Sequence, residues 1–186
     1  MGADKASLRL AGTPMAHRVR RALFDGGVGA VILVGAHGEE GAVADRWPGE
    51  GPLAGVATAV AHGASLDGVE VVVVAACDQP DLPPQLVADL AQALLTGPPE
   101  AVGAVVRTAD GRRQPFPGAW RTSTASDLVA LVDAGQRRAD AAFETGPLIE
   151  LAAPEEAVSD LDTPEDVAQW TARHHDGDPE VPGNGP

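Results

Sequence analysis

The sequence predicts an α/β domain, a mostly parallel sheet with helices on both faces. Three observations predict it. Two segments rich in β-branched residues, the continuous apolar run Val28–Val34 and Val69–Ala76, which is apolar but for Glu70, have the composition of strands buried on both faces of a parallel sheet. Helical repeats stand beside these runs, so strands alternate with helices along the chain. The 186 residues are 44% hydrophobic but only 3% aromatic, with no Tyr, so one medium-sized domain must build its core from Val, Leu and Ala.

The elements follow in order. Thr13-Pro14 reads as an N-cap and first helical residue, and Met15, Val19 and Leu23 form the apolar stripe of a helix that Gly26-Gly27 ends. The run Val28–Val34 is the first strand in the sequence as it stands. Gly51-Pro52 opens a second helix, to about His62, and Val69–Ala76 is the next strand. Asp81 to Pro84 carries helix-start signals, followed by the stripe Leu86, Leu90, Leu94. Ala101–Arg107 is a third strand. Gln114–Trp120 is a fourth, its pairing made irregular by two prolines. Asp127–Val132 is a helix stopped near Gly135, and Thr163-Pro164-Glu165-Asp166 is a capping-box start for a last helix with Val167 and Trp170. The expected division is one domain over residues 1–173 and a disordered tail over 174–186, which is mostly Gly, Pro and acid.

The formal net charge is −14. Such a chain repels phosphate backbones and anionic lipid head groups, which argues against nucleic acid or a membrane as partner. A small nucleotide stays compatible, because a local Lys, a metal or a helix N-terminus outweighs the global field at short range. Cys77 is the single cysteine, so no internal disulfide and no multi-Cys metal site can form, which fits a reducing, cytoplasmic setting. No apolar run follows basic residues at the N-terminus, and Val71–Cys77 is far too short to span a bilayer. Ala6 occupies the position where the myristoylation pattern begun by Met1-Gly2 needs a hydroxyl.

Ligands of open α/β sheets bind beyond the carboxyl ends of the strands. Asp78 stands there, directly after Ala75-Ala76-Cys77. It can hold Mg²⁺, which takes oxygen ligands and commonly one or two carboxylates plus substrate phosphate, or it can cap the turn. Asp162 lies at another strand-to-helix junction, as a second metal carboxylate or as a helix cap. Lys5, beside Asp4 and close to Gly2, is either a point charge for triphosphate oxygens or a solvated lysine. Gly51-Pro52-Leu53-Ala54-Gly55 sets small residues at a helix start, whose backbone N–H groups can face a base or ribose or can simply turn the chain. His17, His37, His62, His174 and His175 lack metal-ligand spacing, and no Gly-x-Ser-x-Gly elbow occurs.

Taken in order, these motifs resemble the molybdenum cofactor guanylyltransferase family, within the wider group of Rossmann-like nucleotidyltransferases. Met1-Gly2-Ala3-Asp4-Lys5 is similar to the end of that family's opening loop, Leu-Ala-Gly-Gly-x-Ser-x-Arg-Met-Gly-x-Asp-Lys. Ala6 to Met15 resembles the stretch after it. Gly51 to Gly55 matches Gly-Pro-Leu-Ala-Gly, and Cys77-Asp78-Gln79-Pro80 with Leu82-Pro83-Pro84 resembles Cys-Asp-x-Pro-x-Leu-Pro-Pro. Gln114-Pro115 sits where the family has a similar dipeptide, and Asp162-Thr163-Pro164-Glu165-Asp166 resembles its Asn/Asp-Thr-Pro-Glu-Asp. The resemblance covers roughly Met1 to Trp170.

The resemblance implies transfer of GMP from GTP to a molybdopterin-type cofactor with release of pyrophosphate. It implies Mg²⁺ on Asp78 with Asp162 as second ligand, and Lys5 on the GTP phosphates. Nucleotide contacts are implied from Asp45 and from Gly51, Pro52 and Leu53, and a protein partner in cofactor delivery is a further possibility. Gly35 falls where some relatives have an Asn. The alternatives within the resemblance are CMP transfer or another NTP transferase. The alternative outside enzymology is a catalytically inactive nucleotide- or partner-binding remnant. The family's first strand and glycine-rich loop have no counterpart ahead of Met1, so the expectation is a start placed inside that loop or a true truncation, with two strand edges left bare.

Overall fold

The computed structural model describes residues 8–35 and 41–174. Lys5, His37 and His175 lie outside the described residues, as does the expected tail from residue 175 onward.

The chain enters as a two-residue bridge, β1 (Arg9–Leu10) against β2 (Thr13–Pro14), antiparallel. Helix α1 (Met15–Asp25) follows, with Pro14 as its cap. The start is thus one residue later than expected, because Thr13 is spent pairing with Leu10. Met15, Val19 and Leu23 are buried as one stripe. Helix α2 (Pro52–Ala64) is apolar on nearly every side and buried along most of its length, as a helix covered on all sides must be. At Gly63 the missing side chain lets the helix lie against Val72.

The main sheet has the order β5 (Val71–Val74), β7 (Arg113–Arg121), β6 (Gly103–Arg107), β8 (Leu148–Ala152). It is mixed: β5 and β6 both run antiparallel to β7, and β8 runs parallel to β6. Helices cover both faces. Val71 and Val73 of β5 pack into a cluster with α1 and α3 (Pro84–Thr96), including the buried stripe Leu86, Leu90 and Leu94. Val72 and Val74 pack on the other side with α2 and α4 (Ala125–Asp133).

The irregular proline-bearing strand is central, between two neighbours. The ladder explains how: Val105 pairs with Gly118 but Val106 with Gln114, a bulge that skips residues 115–117. Pro115 and Pro117 therefore stand where no ladder N–H is required. The Phe116–Pro117 peptide is cis. Strand β8 was not among the expected elements; Glu150 stands in the middle of its short apolar run. In the fold Glu150 accepts hydrogen bonds from Arg113 (2.6 Å) and Arg107 (3.1 Å), and the Arg113 guanidinium holds its carboxyl below the ordinary value.

The first expected strand is much reduced. Of Val28–Val34, only β3 (Leu33–Val34) is a strand, parallel to β4 (Ala42–Val43), and none of the seven residues is buried. The second, expected over Val69–Ala76, is regular only over Val71–Val74, whose residues are all half-buried. Apolar composition matched both runs, but neither has a partner on its second edge among the described residues.

Helix α5 (Pro164–His174) closes the fold. Asp166 accepts hydrogen bonds from the Thr163 N–H and hydroxyl, both 2.8 Å, and its own N–H donates to Thr163 Oγ1 at 3.1 Å, the reciprocal capping expected from the sequence. Trp170 donates Nε1–H to Asp81 at 2.7 Å, and its ring contacts both the Arg18 guanidinium and the His174 ring. His174, expected in a solvated tail, is instead the last turn of this helix, its Nε2 3.3 Å from Asp81.

Hydrogen bonding from Thr163 lowers the Asp166 carboxyl below its ordinary value. A lowered carboxyl stabilises the fold in full above its unfolded value and loses that contribution as pH falls through the folded one. The melting difference between the parent and Asp166→Asn should be constant from pH 7 to 5 and shrink below about pH 4, as thermal scans across pH would show.

Candidate active site

Asp78 sits half-buried just past the end of β5, in a turn in which Gln79 N–H donates to Ala76 C=O at 3.4 Å. Two anchors set the turn. The Asp78 carbonyl accepts the Leu161 N–H at 2.9 Å. Gln79, itself buried, donates Nε2–H to the Phe116 and Val158 carbonyls, both at 3.1 Å. The first anchor joins two loops far apart in sequence: Leu161 is flanked by Asp160 and Asp162, so the acidic junction before α5 is carried to the end of β5. Asp162 is exposed, and its N–H donates to Asp166 at 3.2 Å. Asp78 and Asp162, read apart in the sequence, therefore belong to adjoining loops.

Asp45 is the second group of the site. Its Oδ1 accepts the Trp47 N–H at 3.0 Å and the Thr58 hydroxyl at 3.2 Å, while Thr58 Oγ1 also accepts the Arg46 N–H at 3.2 Å. The carboxylate is thus fixed against the middle of α2. Gly35 lies beside it: a Cβ there would stand 3.7 Å from Asp45 Cβ.

The glycine motif does less with its backbone than expected. Pro52 has no N–H, and the Leu53 N–H donates to the Arg137 carbonyl at 3.1 Å. The Leu53 side chain is fully buried in the core with Val56 and Trp120. Leu53 therefore serves packing, and only Gly51 and Pro52 of this motif's expected nucleotide contacts face open space. Arg137, which sequence reasoning missed, shapes this corner: its carbonyl takes Leu53, and its guanidinium pairs with Glu50. Only its position after Gly135 marked it in the sequence.

Gly51 has φ +89°, and a Cβ there would meet the Arg137 carbonyl oxygen at 2.8 Å. Neither backbone can yield, so Gly51→Ala should cost about 1–3 kcal/mol and shift the start of α2. Chemical denaturation would read the loss, and nucleotide affinity should fall with it.

Asp45, Gly51, Pro52 and Asp78 all line one large cavity, of about 890 Å³. Its walls are otherwise mostly apolar, from Val28, Val31, Leu33 and Val71–Val74, with Arg20, His62 and Glu70 also lining it. Among the described residues no cluster of three or more His, Cys, Asp or Glu could hold a metal. The adjoining carboxylates Asp78 and Asp162 are a two-member hard-oxygen set. That set fits Mg²⁺, which completes its shell with water and substrate phosphate, and does not fit Zn²⁺, which takes three or four protein ligands.

No described helix is long and apolar enough to cross a membrane. Residues 1–149 match the family described as MobA-like NTP transferase domain. A molybdenum cofactor guanylyltransferase of Rhizobium johnstonii is 31% identical over 140 residues, 74% of this chain and 65% of the relative, so the match spans under two thirds of that protein's length. Among solved structures, molybdopterin-guanine dinucleotide biosynthesis protein A of Archaeoglobus fulgidus superposes with a TM-score of 0.72 at 17% identity, covering 94% of this chain and 92% of the other. A 2-C-methyl-D-erythritol 4-phosphate cytidylyltransferase of Thermus thermophilus gives 0.69 at 17% identity, covering 92% and 94%. At such identities the two structures speak to the fold alone.

Proposed function

We propose, from the premise that this chain belongs to the MobA-like NTP transferase family, that it transfers a nucleoside monophosphate from a nucleoside triphosphate to a phosphorylated acceptor. The finer reading is GMP from GTP to a molybdopterin-type cofactor, the activity named for the Rhizobium relative. The observation that carries the proposal is the hydrogen bond from Leu161 N–H to the Asp78 carbonyl. It sets two acidic loops side by side, at the mouth of a cavity that Asp45 and Gly51 also line.

In the proposed reaction an acceptor phosphate oxygen attacks the α-phosphorus of the nucleotide. The new P–O bond forms as the bond to the bridging α–β oxygen breaks, and pyrophosphate leaves with that oxygen. Catalysis of this kind is mostly positioning and charge neutralisation. Mg²⁺, when held by Asp78 and Asp162, supplies the positive charge that the phosphate oxygens need. Asp45, locked by Thr58 and Trp47, is a preorganised acceptor for ribose or base N–H and O–H groups. Gly51 leaves room for the nucleotide to approach the start of α2. Lys5 adds a point charge for the leaving pyrophosphate.

The test is pyrophosphate release from molybdopterin with Mg²⁺-GTP and, separately, Mg²⁺-CTP. GTP-dependent release is the expected result. A clear preference for CTP would reassign the donor and keep the transferase. Release with neither nucleotide, from folded protein, would overturn the transferase reading in favour of a binding module.

A further inference from the structure

We infer that a second cavity, set off from the nucleotide cavity by Arg137, is the acceptor's pocket, in which a planar nitrogen heterocycle stacks on Phe143 and is read at its edge by Arg112, Gln136 and Glu144. The inference rests on the transferase reading above and adds where the acceptor sits and which acceptors the chain can hold. Three observations carry it.

First, the two cavities adjoin. The second has a volume of about 530 Å³, within the range of small-molecule sites. Gln136 and Arg138 line it, whereas Gly51 and Pro52 line the first. Arg137 stands between them: its carbonyl accepts the Leu53 N–H at 3.1 Å, and its guanidinium pairs with Glu50. On β7, likewise, Arg113 lines the second cavity and Phe116 the first. Donor and acceptor would face each other across the ridge that Gly51 and Arg137 form.

Second, the polar groups of this cavity divide into spent and unspent ones. Arg113 Nε and Nη2 both lie 2.6 Å from Glu150 Oε1. Arg138 donates twice to Asp140, at 3.0 and 2.6 Å. Arg112, Gln136 and Glu144 also line the cavity, and their side chains make no hydrogen bond or ion pair among the described residues. Third, the cavity has a fixed aromatic wall. The Phe143 ring is half-buried and lines it. The fully buried Trp120 backs that ring, with centroids 6.5 Å apart and planes 18° from parallel.

These groups decide the class of acceptor. An uncommitted guanidinium takes an anionic group. A free carboxylate accepts from ring N–H or amino groups, and a carboxamide both donates and accepts, which suits a cyclic amide edge. A flat π-face matches the Phe143 ring. A sugar phosphate would use Arg112 and leave the aromatic wall without a stacking partner. A planar heterocycle with an amide-like edge and an anionic substituent uses all four.

The experiment is a fluorescence titration of the full chain with 6-carboxypterin, a planar ring that carries such an edge and a carboxylate. It should bind equally with and without saturating Mg²⁺-GTP, and glucose 1-phosphate should not displace it. Arg112→Gln, Glu144→Gln and Phe143→Leu should each weaken it by about tenfold. Arg112 and Glu144 are exposed, so R112Q and E144Q keep the fold and carry the test by themselves if F143L melts early. The pocket assignment is overturned if R112Q and E144Q bind the pterin as the parent does, if glucose 1-phosphate displaces it, or if GTP does. Pterin binding that is lost in these variants, without pyrophosphate release from either nucleotide, keeps the pocket and sinks the transferase reading. Pyrophosphate release with the acceptor KM unmoved in R112Q and E144Q does the reverse.

Discussion

Asp78→Asn should lower pyrophosphate release by about a thousandfold, on the order of 4 kcal/mol of transition-state stabilisation, and leave the fold standing. The two halves of this expectation rest on different atoms. The turn is held by the Asp78 carbonyl and by the Gln79 side chain, which bonds to the Phe116 and Val158 carbonyls. An Asn keeps all three bonds. What it loses is the negative charge that, in the proposed site, fixes a divalent cation against phosphate. The Mg²⁺ concentration for half-maximal rate should rise at the same time. Asp162→Asn should move both quantities the same way by less, because Asp162 is the more exposed of the two. Activity of Asp78→Asn close to that of the parent would return Asp78 to the simple role of a turn residue.

The largest loss of stability is expected from Trp120→Ala. Trp120 is fully buried in β7, and its ring stacks 6.5 Å from that of Phe143 and packs under α2 with Leu53, Val56 and Val60. Truncation should cost about 3–5 kcal/mol, lowering the melting midpoint by roughly 10 °C. Trp120→Phe offers an internal comparison. The Trp120 indole N–H is buried without a hydrogen-bond partner among the described residues, a penalty of about 1–3 kcal/mol that Phe would relieve. Its net cost should be much smaller than that of Ala. Equal midpoints for the Phe and Ala variants would contradict this account of the ring.

The helices were the most legible part of the sequence. The stripes at Met15, Val19 and Leu23 and at Leu86, Leu90 and Leu94 are one-dimensional signals, and all six residues are buried. The α5 capping pattern was equally local and holds atom by atom. Strands were harder, because a strand is stable only against neighbours the sequence does not display. Val28–Val34 has ideal composition, yet only Leu33–Val34 pairs. Leu148–Ala152 was not singled out in the sequence, and the partners that settle Glu150 within it, Arg107 and Arg113, lie on other strands. The same limit applies to the candidate site. Asp78, Asp162 and Asp45 were found by position and by resemblance; the loops of Asp78 and Asp162 adjoin through Leu161, and Asp78 and Asp45 line one cavity. The supports of the site were not foreseen: Gln79 and Arg137 act through partners 37 or more residues away for one, and through a carbonyl contact to α2 for the other.

The bond from Trp170 to Asp81 spans 89 positions of sequence. Synthesis runs from the N-terminus, so the loop bearing Asp78 leaves the ribosome long before α5 exists to brace it. The acidic centre is accordingly among the last features the nascent chain can acquire. A chain stopped between Ala152 and Trp170 should retain the four-stranded sheet and the four earlier described helices while lacking the Trp170–Asp81 brace. Quality control of this protein, if it reads competence and not mere compactness, has only the final dozen described residues to read.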